Sequence, residues 1–498
     1  MRPVVFLAFA MVWFSCQKQE YDIVIRNAII IDGSGDHSFE GAVAINGDTI
    51  ARVGDLEGAI GKQEIDAHGW VLAPGFVDTH SHHDRGMFEE REVLAAISQG
   101  ITTIVVGQDG FSNFPVADFF SQLEQTPVSV NVASYTGHNT LRRAAMTGAY
   151  DRPCTPDEIA QMTELIKQDM AAGAIGLSTG LEYDPGIYST AFEVMALAKV
   201  VAGHGGRYIS HIRSEDIKVW EAIREVIQIG KETGMPVQIS HAKLAMKKWW
   251  EQADRMVALL DSASKAGVKI SIDVYPYTYW QSTMKVLFPD RDVSNLKKAE
   301  FALRELTSPE SLILNNFTPN PEYVGRTLAE IALLRKSSAP QTLIDLIKQA
   351  DAEGGDESII ATSMYEMDVA TLLRWREANV CSDGSSHSLH PRGFGAFPKF
   401  FRKYVVDDRS LTIEDAIYKM SGLSARHMGF KKRGQIRAGN YADLVLFDPV
   451  QFKDQATTEQ PRLQATGLRK VWVNGKVVYE NGEPTGVFPG HVLRRTDS

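Results

Sequence analysis

The chain has 498 residues, of which 44% are hydrophobic and 23% are charged. That apolar content excludes a largely disordered chain, and only three cysteines exclude a disulfide-stabilised scaffold. The 52 basic and 62 acidic residues give a net charge of -10, which argues against binding to nucleic-acid phosphates.

The first segment, residues 1–16, has the features of an export signal. Arg2 precedes the uncharged and mostly apolar run 3–14, which is too short to span a bilayer and suits a signal peptide. Residues 13–16, WFSC, resemble a bacterial lipobox, although Trp13 stands where leucine is usual. We therefore expect an exported cell-envelope lipoprotein anchored through lipidated Cys16, with a plain secretory signal as the alternative.

Both ends of the remaining chain have the pattern of short β-strands. Residues 17–73 contain apolar runs separated by turn residues, including the hairpin signal Asn46-Gly47. Residues 425–498 repeat this pattern, with Asn474-Gly475 as a second hairpin signal. We expect the two ends to build one small β-sandwich domain.

The middle, residues 74–424, alternates short Val- and Ile-rich runs with helical stretches such as 156–172 and 214–233. This alternation predicts an α/β fold with a parallel sheet, and eight such units have the size of a (β/α)8 TIM barrel. The predicted barrel strands cover residues 75–80, 101–107, 128–135, 174–180, 207–212, 236–242, 268–275 and 379–384.

One gap interrupts this alternation between predicted strands seven and eight. Residues 276–378 contain no convincing barrel strand, whereas 297–306 and 340–350 look helical. We expect a helical insertion at about 283–375 that lies over the barrel mouth, where binding loops occur. A strand missed in this region is the alternative.

Polar residues stand where several predicted strands end, and in a parallel barrel these ends share one face. His80 and His82 end strand one, His211 ends strand five, His241 ends strand six and Asp383 ends strand eight. Period-two spacing directs His80 and His82 to the same side. Imidazole and carboxylate groups are the ligands of catalytic zinc, so we expect a metal site, although each motif alone is more often structural.

Several segments resemble the amidohydrolase superfamily, and within it the N-acyl-D-amino-acid deacylases, or D-aminoacylases. The resemblance covers nearly the whole mature chain, and 174–190 is its most specific part. It implies a (β/α)8 barrel with a β-sandwich that hydrolyses N-acyl-D-amino acids with zinc-activated water. The segments are APGFVDTHSHHD (73–84), GHNTLRRAAMTGAYDRP (137–153), AIGLSTGLEYDPGIYST (174–190), RYISHIRSE (207–215), PVQISHAK (236–243), CSDG (381–384), HPRGFGAFPKF (390–400) and 421–449.

The resemblance also assigns roles at the metal site, which would hold one or two zinc ions. His211 and His241 match the tight zinc ligands, and His80 and His82 match a second, weaker position. Asp383 matches the catalytic aspartate. We expect it to take a proton from the attacking water and to pass it to the leaving amine.

Other residues match groups that hold the substrate carboxylate. These are Lys243, Arg392 and a tyrosine, either Tyr275, which we favour, or Tyr277. His138, which follows strand three, is a further candidate to line the site. Surface positions for the two cations and a structural role for His138 are the alternatives.

The chain departs from the resemblance in one loop. The family has a cysteine in a VVxGNCG loop after strand two, whereas this chain has Gly107-Gln108-Asp109-Gly110. Asp109 stands where the thiolate would be, and a carboxylate can also bind zinc or bridge two metals. We therefore expect Asp109 to be a metal ligand, with a solvated loop aspartate as the alternative.

Other functions remain open at this point. A dipeptidase or a cyclic-amide hydrolase would resemble this chain, but those enzymes carry a carboxylated lysine on strand four, which residues 174–180 lack. A deaminase and a non-catalytic binding protein on the same fold are further alternatives. The expected partner is a small N-acyl amino acid or short peptide, including D-configured residues of cell-wall peptides, and not nucleic acid.

Overall fold

The computed structural model describes residues 20–387 and 389–497, so the predicted signal peptide and Cys16 lie outside the described residues. None of the helices in the described part is both long and apolar enough to cross a membrane. The fold begins with five strands: β1 (Glu20–Ile30), β2 (Phe39–Asn46), β3 (Thr49–Gly54), β4 (Ile60–Asp66) and β5 (Val71–Pro74).

The first strand, β1, bends and pairs with two different strands along one of its edges. The β1–β2 pairing shifts register between Ile25 and Ala28, where Asn27 adopts a left-handed φ of 54°. Such a bulge bends a strand. On its other edge, β1 accordingly pairs with β4 before the bulge and with β5 after it.

The barrel follows directly, and each of its strands overlaps a predicted segment, except that the third strand continues to Gly137, beyond its predicted end at residue 135. The strands are β6 (Phe76–Asp78), β7 (Ile101–Val106), β8 (Asn131–Ser134), β9 (Thr136–Gly137), β10 (Gly176–Gly180), β11 (Arg207–His211), β12 (Val237–Ile239) and β13 (Ile270–Val274). The helices between them are α1 (Leu94–Ile97), α2 (Val116–Gln125), α3 (His138–Ala145), α4 (Pro156–Ala172), α5 (Ala191–Gly203), α6 (Val219–Thr233) and α7 (Ala253–Lys265).

Two of these helices test the sequence interpretation. Helix α4 has the predicted bounds, because Thr155 and Glu158 form a capping box at its start and Gly173 ends it with φ 109°. Helix α6 begins at Val219, five residues later than predicted. The residues predicted to form its first turn are a loop instead, because the carboxylates of Glu215 and Asp216 make contacts at the barrel mouth.

The insertion lies between strands seven and eight, as predicted, but it is not only helical. It forms a small unit with its own apolar core, which includes Phe288, Leu314 and Ile347. The sequence analysis missed its antiparallel sheet, in which β16 lies between β14 and β15. The elements are β14 (Tyr279–Ser282), α8 (Leu296–Glu305), β15 (Leu312–Phe317), α9 (Leu328–Arg335), α10 (Ala339–Glu353) and β16 (Glu357–Thr362).

The chain then returns to the barrel. The elements are α11 (Glu366–Arg374), β17 (Ala378–Val380), α12 (Arg392–Phe401), α13 (Ile413–Met420) and α14 (Gly422–Met428). Helix α11 packs on barrel elements α7 and β17, so the insertion ends before the predicted residue 375. The described residues also form short 3-10 turns at Gly186–Tyr188, Lys247–Trp249, Met284–Leu287, Pro321–Tyr323 and Arg495–Asp497, and a π turn at Arg402–Asp407.

Parallel pairing runs from β6 through β7 to β8, and from β9 through β13 to β17. Strands β8 and β9 are two parts of one strand, separated at Tyr135. Hydrogen bonds close the ring beyond the end of β17, where Asp383 N donates to His80 O at 2.9 Å and His82 N donates to Gly384 O at 2.8 Å. The eight-stranded barrel is therefore complete.

The last strands complete the β-domain. They are β18 (Leu444–Phe447), β19 (Leu468–Val473), β20 (Lys476–Glu480) and β21 (Glu483–Pro484). They pair with the first strands in the order β21-β20-β19-β18-β5-β1-β2-β3. Val43 from the start of the chain and Leu444 and Trp472 from its end share one buried cluster, so both ends build one domain.

Candidate metal centre and active site

Polar side chains converge at the carboxyl ends of five barrel strands. These side chains are His80 and His82 after β6, Asp109 after β7, His211 at the end of β11, His241 after β12 and Asp383 after β17. Asp109, His241 and Asp383 have left-handed φ angles of 54°, 31° and 45°. Such conformations cost about 1–3 kcal/mol each and cluster at functional sites.

The first half of the cluster contains four donor groups. His80 Nε2 lies 3.5 Å from Asp109 Oδ1 and 3.5 Å from Asp383 Oδ1. His82 Nε2 lies 3.2 Å from Asp109 Oδ2 and 3.3 Å from Asp383 Oδ1. Tetrahedral zinc ligands at about 2.0–2.1 Å from the ion lie about 3.3–3.4 Å from one another. The four side chains therefore have the spacing of a metal site.

The second half shares Asp109 with the first. His241 Nε2 lies 3.4 Å from Asp109 Oδ1 and 3.0 Å from His211 Nδ1. Three donors leave a coordination position for water or substrate, as in catalytic zinc sites. Asp109 lies between the two halves, in the position of a bridging carboxylate.

The unpaired atoms of this cluster also fit a cation. Both ring nitrogens of buried His80 and Oδ1 of Asp109 have no hydrogen-bond partner among the described residues. Buried polar atoms without partners are costly and rare in folded proteins. A metal ion between the imidazoles and carboxylates would satisfy the Nε2 atom of His80 and this oxygen together.

The local electrostatics favour positive charge at the same point. Burial alone would lower the pKa of His80, but the carboxylates of Asp109 and Asp273 outweigh burial and hold this pKa well above its usual value. Burial and Lys243 lower the pKa of His241, but Glu215 and Asp109 raise it to about 9. Without a metal, the carboxylates thus recruit protons onto the histidines, and a bound cation would replace them.

Asp383 is held in its ionised form. Burial alone would raise the pKa of its carboxyl, but Arg392 and His82 hold this pKa well below its usual range. Arg392 Nη1 lies 2.7 Å from Asp383 Oδ2, and both side chains are less than 10% exposed. An ionised carboxylate in this position can accept a proton.

The cluster lies at the base of a cavity of about 720 Å³. Lys243, Tyr275 and Arg392 line this cavity, as predicted, and the insertion forms one wall through Trp280, Leu287 and neighbouring residues. The Arg392 guanidinium lies 4.8 Å from the Tyr275 ring centre. Tyr277 is not among the lining residues, so the geometry favours Tyr275 over its neighbour.

His138 does not line the cavity, and the expectation for this residue is corrected. Its side chain is fully buried, and its Nε2 lies 2.8 Å from Glu193 Oε1. Arg142 also contacts this oxygen, at 2.5 Å. His138 is therefore part of a buried structural network between α3 and α5. Cys381, in the CSDG motif, is a buried free thiol.

Sequence reasoning missed three acidic residues around the histidines. Asp273 Oδ1 accepts the main-chain N–H of His241 at 2.6 Å. Glu215 Oε1 lies 3.0 Å from His241 Nδ1, and Glu182 Oε2 lies 3.0 Å from His211 Nε2. Glu182 follows strand β10 by two residues, so the strand-end rule that identified the histidines would also have identified it.

Comparison with known proteins agrees with this geometry. The sequence profile of the amidohydrolase family matches residues 63–300 and 382–479. A D-aminoacylase of Alcaligenes xylosoxydans xylosoxydans is 34% identical over 507 residues, which is 96% of this chain and 99% of that protein. The chain belongs to the amidohydrolase family, and within it to the N-acyl-D-amino-acid deacylases. This amidohydrolase is a hydrolase that acts on carbon–nitrogen bonds.

Solved structures support the same assignment. A D-aminoacylase described with a binuclear metal centre superposes with a TM-score of 0.86 at 33% identity, covering 95% of this chain and all of that one. The N-acyl-D-glutamate deacylase of Bordetella bronchiseptica also has a TM-score of 0.86, at 31% identity, with coverage of 96% and 100%. That structure contains zinc and a phosphonate inhibitor that mimics the tetrahedral intermediate.

The shared position of Asp109 generates a prediction for the amidohydrolase. We expect Asp109→Ala to lower the zinc content below that of the wild type, because both halves of the cluster lose a donor, and to lower turnover with it. Elemental analysis of the purified protein, dialysed against a fixed free zinc concentration, measures the zinc content. Asp118→Ala, on the exposed face of α2, is the control and should retain the wild-type content. Equal zinc content and activity in both variants would exclude Asp109 as a ligand.

Proposed function

We propose that this amidohydrolase is a zinc-dependent N-acyl-D-amino-acid deacylase that releases a D-amino acid and a carboxylic acid. The observation that carries the proposal is the shared cavity. Four histidines and Asp109 converge at its base, with Asp383 beside them and Lys243 and Arg392 in its wall. This arrangement occurs in a chain that is 34% identical to a D-aminoacylase over nearly its full length.

Zinc held by His80, His82, Asp109, His211 and His241 would supply Lewis-acid polarisation of the scissile carbonyl and of the attacking water. Asp383 accepts the proton that the water loses as its oxygen bonds to the carbonyl carbon. The same carboxyl group then gives this proton to the amide nitrogen as the carbon–nitrogen bond breaks. The pairing with Arg392 keeps Asp383 ionised before the reaction.

The cavity wall can recognise the free carboxylate of an N-acyl amino acid. Arg392 can bind a carboxylate through two N–H groups, and Lys243 adds a point charge. The Tyr275 hydroxyl is buried and has no hydrogen-bond partner among the described residues, so it can donate to the same group. In this structure Arg392 pairs with Asp383 at 2.7 Å, and Lys243 pairs with Glu215 at 2.6 Å.

A substrate panel tests the proposal directly. We expect the zinc-loaded protein to release amine from the N-acetyl derivatives of D-Leu, D-Met, D-Glu or D-Asp, and to prefer them over the L-forms by at least about tenfold in kcat/KM. The side chain of the preferred substrate then indicates the size and polarity of the outer part of the cavity. Equal cleavage of the L-series would refute D-selectivity, and cleavage of dipeptides or cyclic amides alone would favour another amidohydrolase activity.

The role of Asp383 has its own test. We expect Asp383→Asn to lower kcat by about 10²- to 10⁴-fold, because an amide cannot accept the proton of the attacking water. Steady-state kinetics measure the loss, and circular dichroism checks that the variant is folded. Asp356→Asn, in an exposed loop of the insertion, should retain wild-type kcat. Retained turnover in Asp383→Asn would overturn the assignment.

We further infer that the protein is exported and anchored to the cell envelope through lipidated Cys16. The support is the sequence of residues 1–16, with its short apolar run and the WFSC motif. We expect mass spectrometry of the mature N-terminus to identify diacylglyceryl-cysteine at position 16. In Cys16→Ser the protein should leave the membrane fraction. An unmodified mature N-terminus in the wild type would contradict the anchor.

A further inference from the structure

The segment 174–190 carries a carboxylate that the proposed mechanism does not use. Glu182 lies two residues after β10, and its side chain is 20% exposed. Its neighbour Leu181 donates its main-chain N–H to His211 O at 3.0 Å, which fixes Glu182 beside this histidine. Glu182 Oε2 then lies 3.0 Å from His211 Nε2.

This contact determines which nitrogen of His211 carries the hydrogen. An ionised carboxylate can only accept a hydrogen bond, so Nε2 is the protonated nitrogen and Nδ1 keeps the free lone pair. Nδ1 is the atom that faces the metal cluster, 3.0 Å from His241 Nε2. A metal ligand must be an unprotonated ring nitrogen, so the contact selects the tautomer that can bind a metal.

The second oxygen of Glu182 acts on the other histidine. Oε1 accepts the main-chain N–H of Glu215 at 2.8 Å, which places the Glu215 carboxylate 3.0 Å from His241 Nδ1. Lys243 Nζ lies 2.7 Å from the same Nδ1 and is only a donor, so Lys243 alone would favour the tautomer with hydrogen on Nε2. Glu215 favours the opposite tautomer, which leaves Nε2 free for a metal.

Glu182 is itself fixed from two sides. Its main-chain oxygen accepts a hydrogen bond from Arg291 Nη2, which belongs to the insertion. The ring of the next residue, Tyr183, packs against the His211 ring with 4.4 Å between centroids. Both carboxylate oxygens of Glu182 therefore contact groups beside His211 and His241, and its main chain is fixed by the insertion.

We propose that Glu182 is a positioning residue that sets the tautomer of His211 and, through the main chain of Glu215, supports that of His241. This inference rests on the metal site of the proposed function. Glu182 lines the cavity, but its carboxylate oxygens contact His211 and the main chain of Glu215, and through these contacts it raises the affinity of the His211–His241 position for zinc. Removing such an outer carboxylate weakens metal binding by about 10- to 100-fold.

The experiment measures zinc affinity in the metal-stripped full chain by competition with a chromophoric chelator. The test variants are Glu182→Gln, which keeps the shape and loses the charge, and Glu182→Leu, which also loses the acceptor. We expect affinity at one zinc position to fall by about 10-fold or more in the first and further in the second, with unchanged stoichiometry. Glu221→Gln, exposed on α6, is the matched control and should bind like the wild type.

Two further readouts separate positioning from a general structural role. The thermal midpoint of the metal-free Glu182→Gln protein should equal that of the wild type, and its visible spectrum with Co²⁺ should change. Zinc affinity within twofold of the wild type would overturn the proposal. Loss of one zinc equivalent at saturation would also overturn it, because Glu182 would then be a ligand. A wild-type chain that binds no zinc would instead refute the proposed function on which the inference depends.

Discussion

The structure depends on the closure of the barrel between its first and last strands. Asp78, at the end of β6, accepts hydrogen bonds from the main-chain nitrogen and hydroxyl of Ser382 at 3.0 and 2.5 Å. This contact joins positions that are 304 residues apart in the chain. It places His80 and His82 beside Asp383, so the first half of the metal cluster exists only in the closed barrel.

The closed cluster brings several carboxylates into a low-dielectric interior, where an unpaired charge is costly. Asp109, Asp273 and Asp383 are all nearly or fully buried. Buried charges are stable only when they are paired and hydrogen-bonded. Arg392 neutralises Asp383, but the remaining carboxylates face imidazoles whose pKa values they raise. Either protons on these histidines or a bound metal ion can therefore balance the carboxylates of this cavity.

Features that follow from local pattern could be predicted from the sequence. The barrel strands came from alternating apolar runs, and the four histidines and Asp383 came from the rule that parallel strands end on one face. Asp109 was instead identified from its place in the loop where the family has a cysteine. The bounds of α4 came from its capping residues. The resemblance to a known family, rather than spacing, assigned Lys243 and Arg392 to the substrate.

Features that depend on long-range contacts could not be predicted in this way. The paired strands of the insertion are far apart in the sequence: β15 pairs with β16, and two helices lie between them. His138 also follows a barrel strand, but its partner is Glu193 on the helical layer, 55 residues away. A strand-end position therefore places a residue near the active face without deciding whether its side chain turns into the cavity or outward.

The insertion connects the substrate cavity to the metal centre. Its residues form one wall of the cavity, and its Arg291 holds the main chain of Glu182, whose carboxylate contacts His211. Trp250 and Trp280 both donate to Ser363, which fixes the insertion against the loop after β12. A change at Arg291 in this wall would therefore also act on the position of His211, a predicted metal ligand. If the proposed function holds, substrate selection and zinc affinity are physically linked, because one contact path runs from Arg291 in the cavity wall through Glu182 to His211.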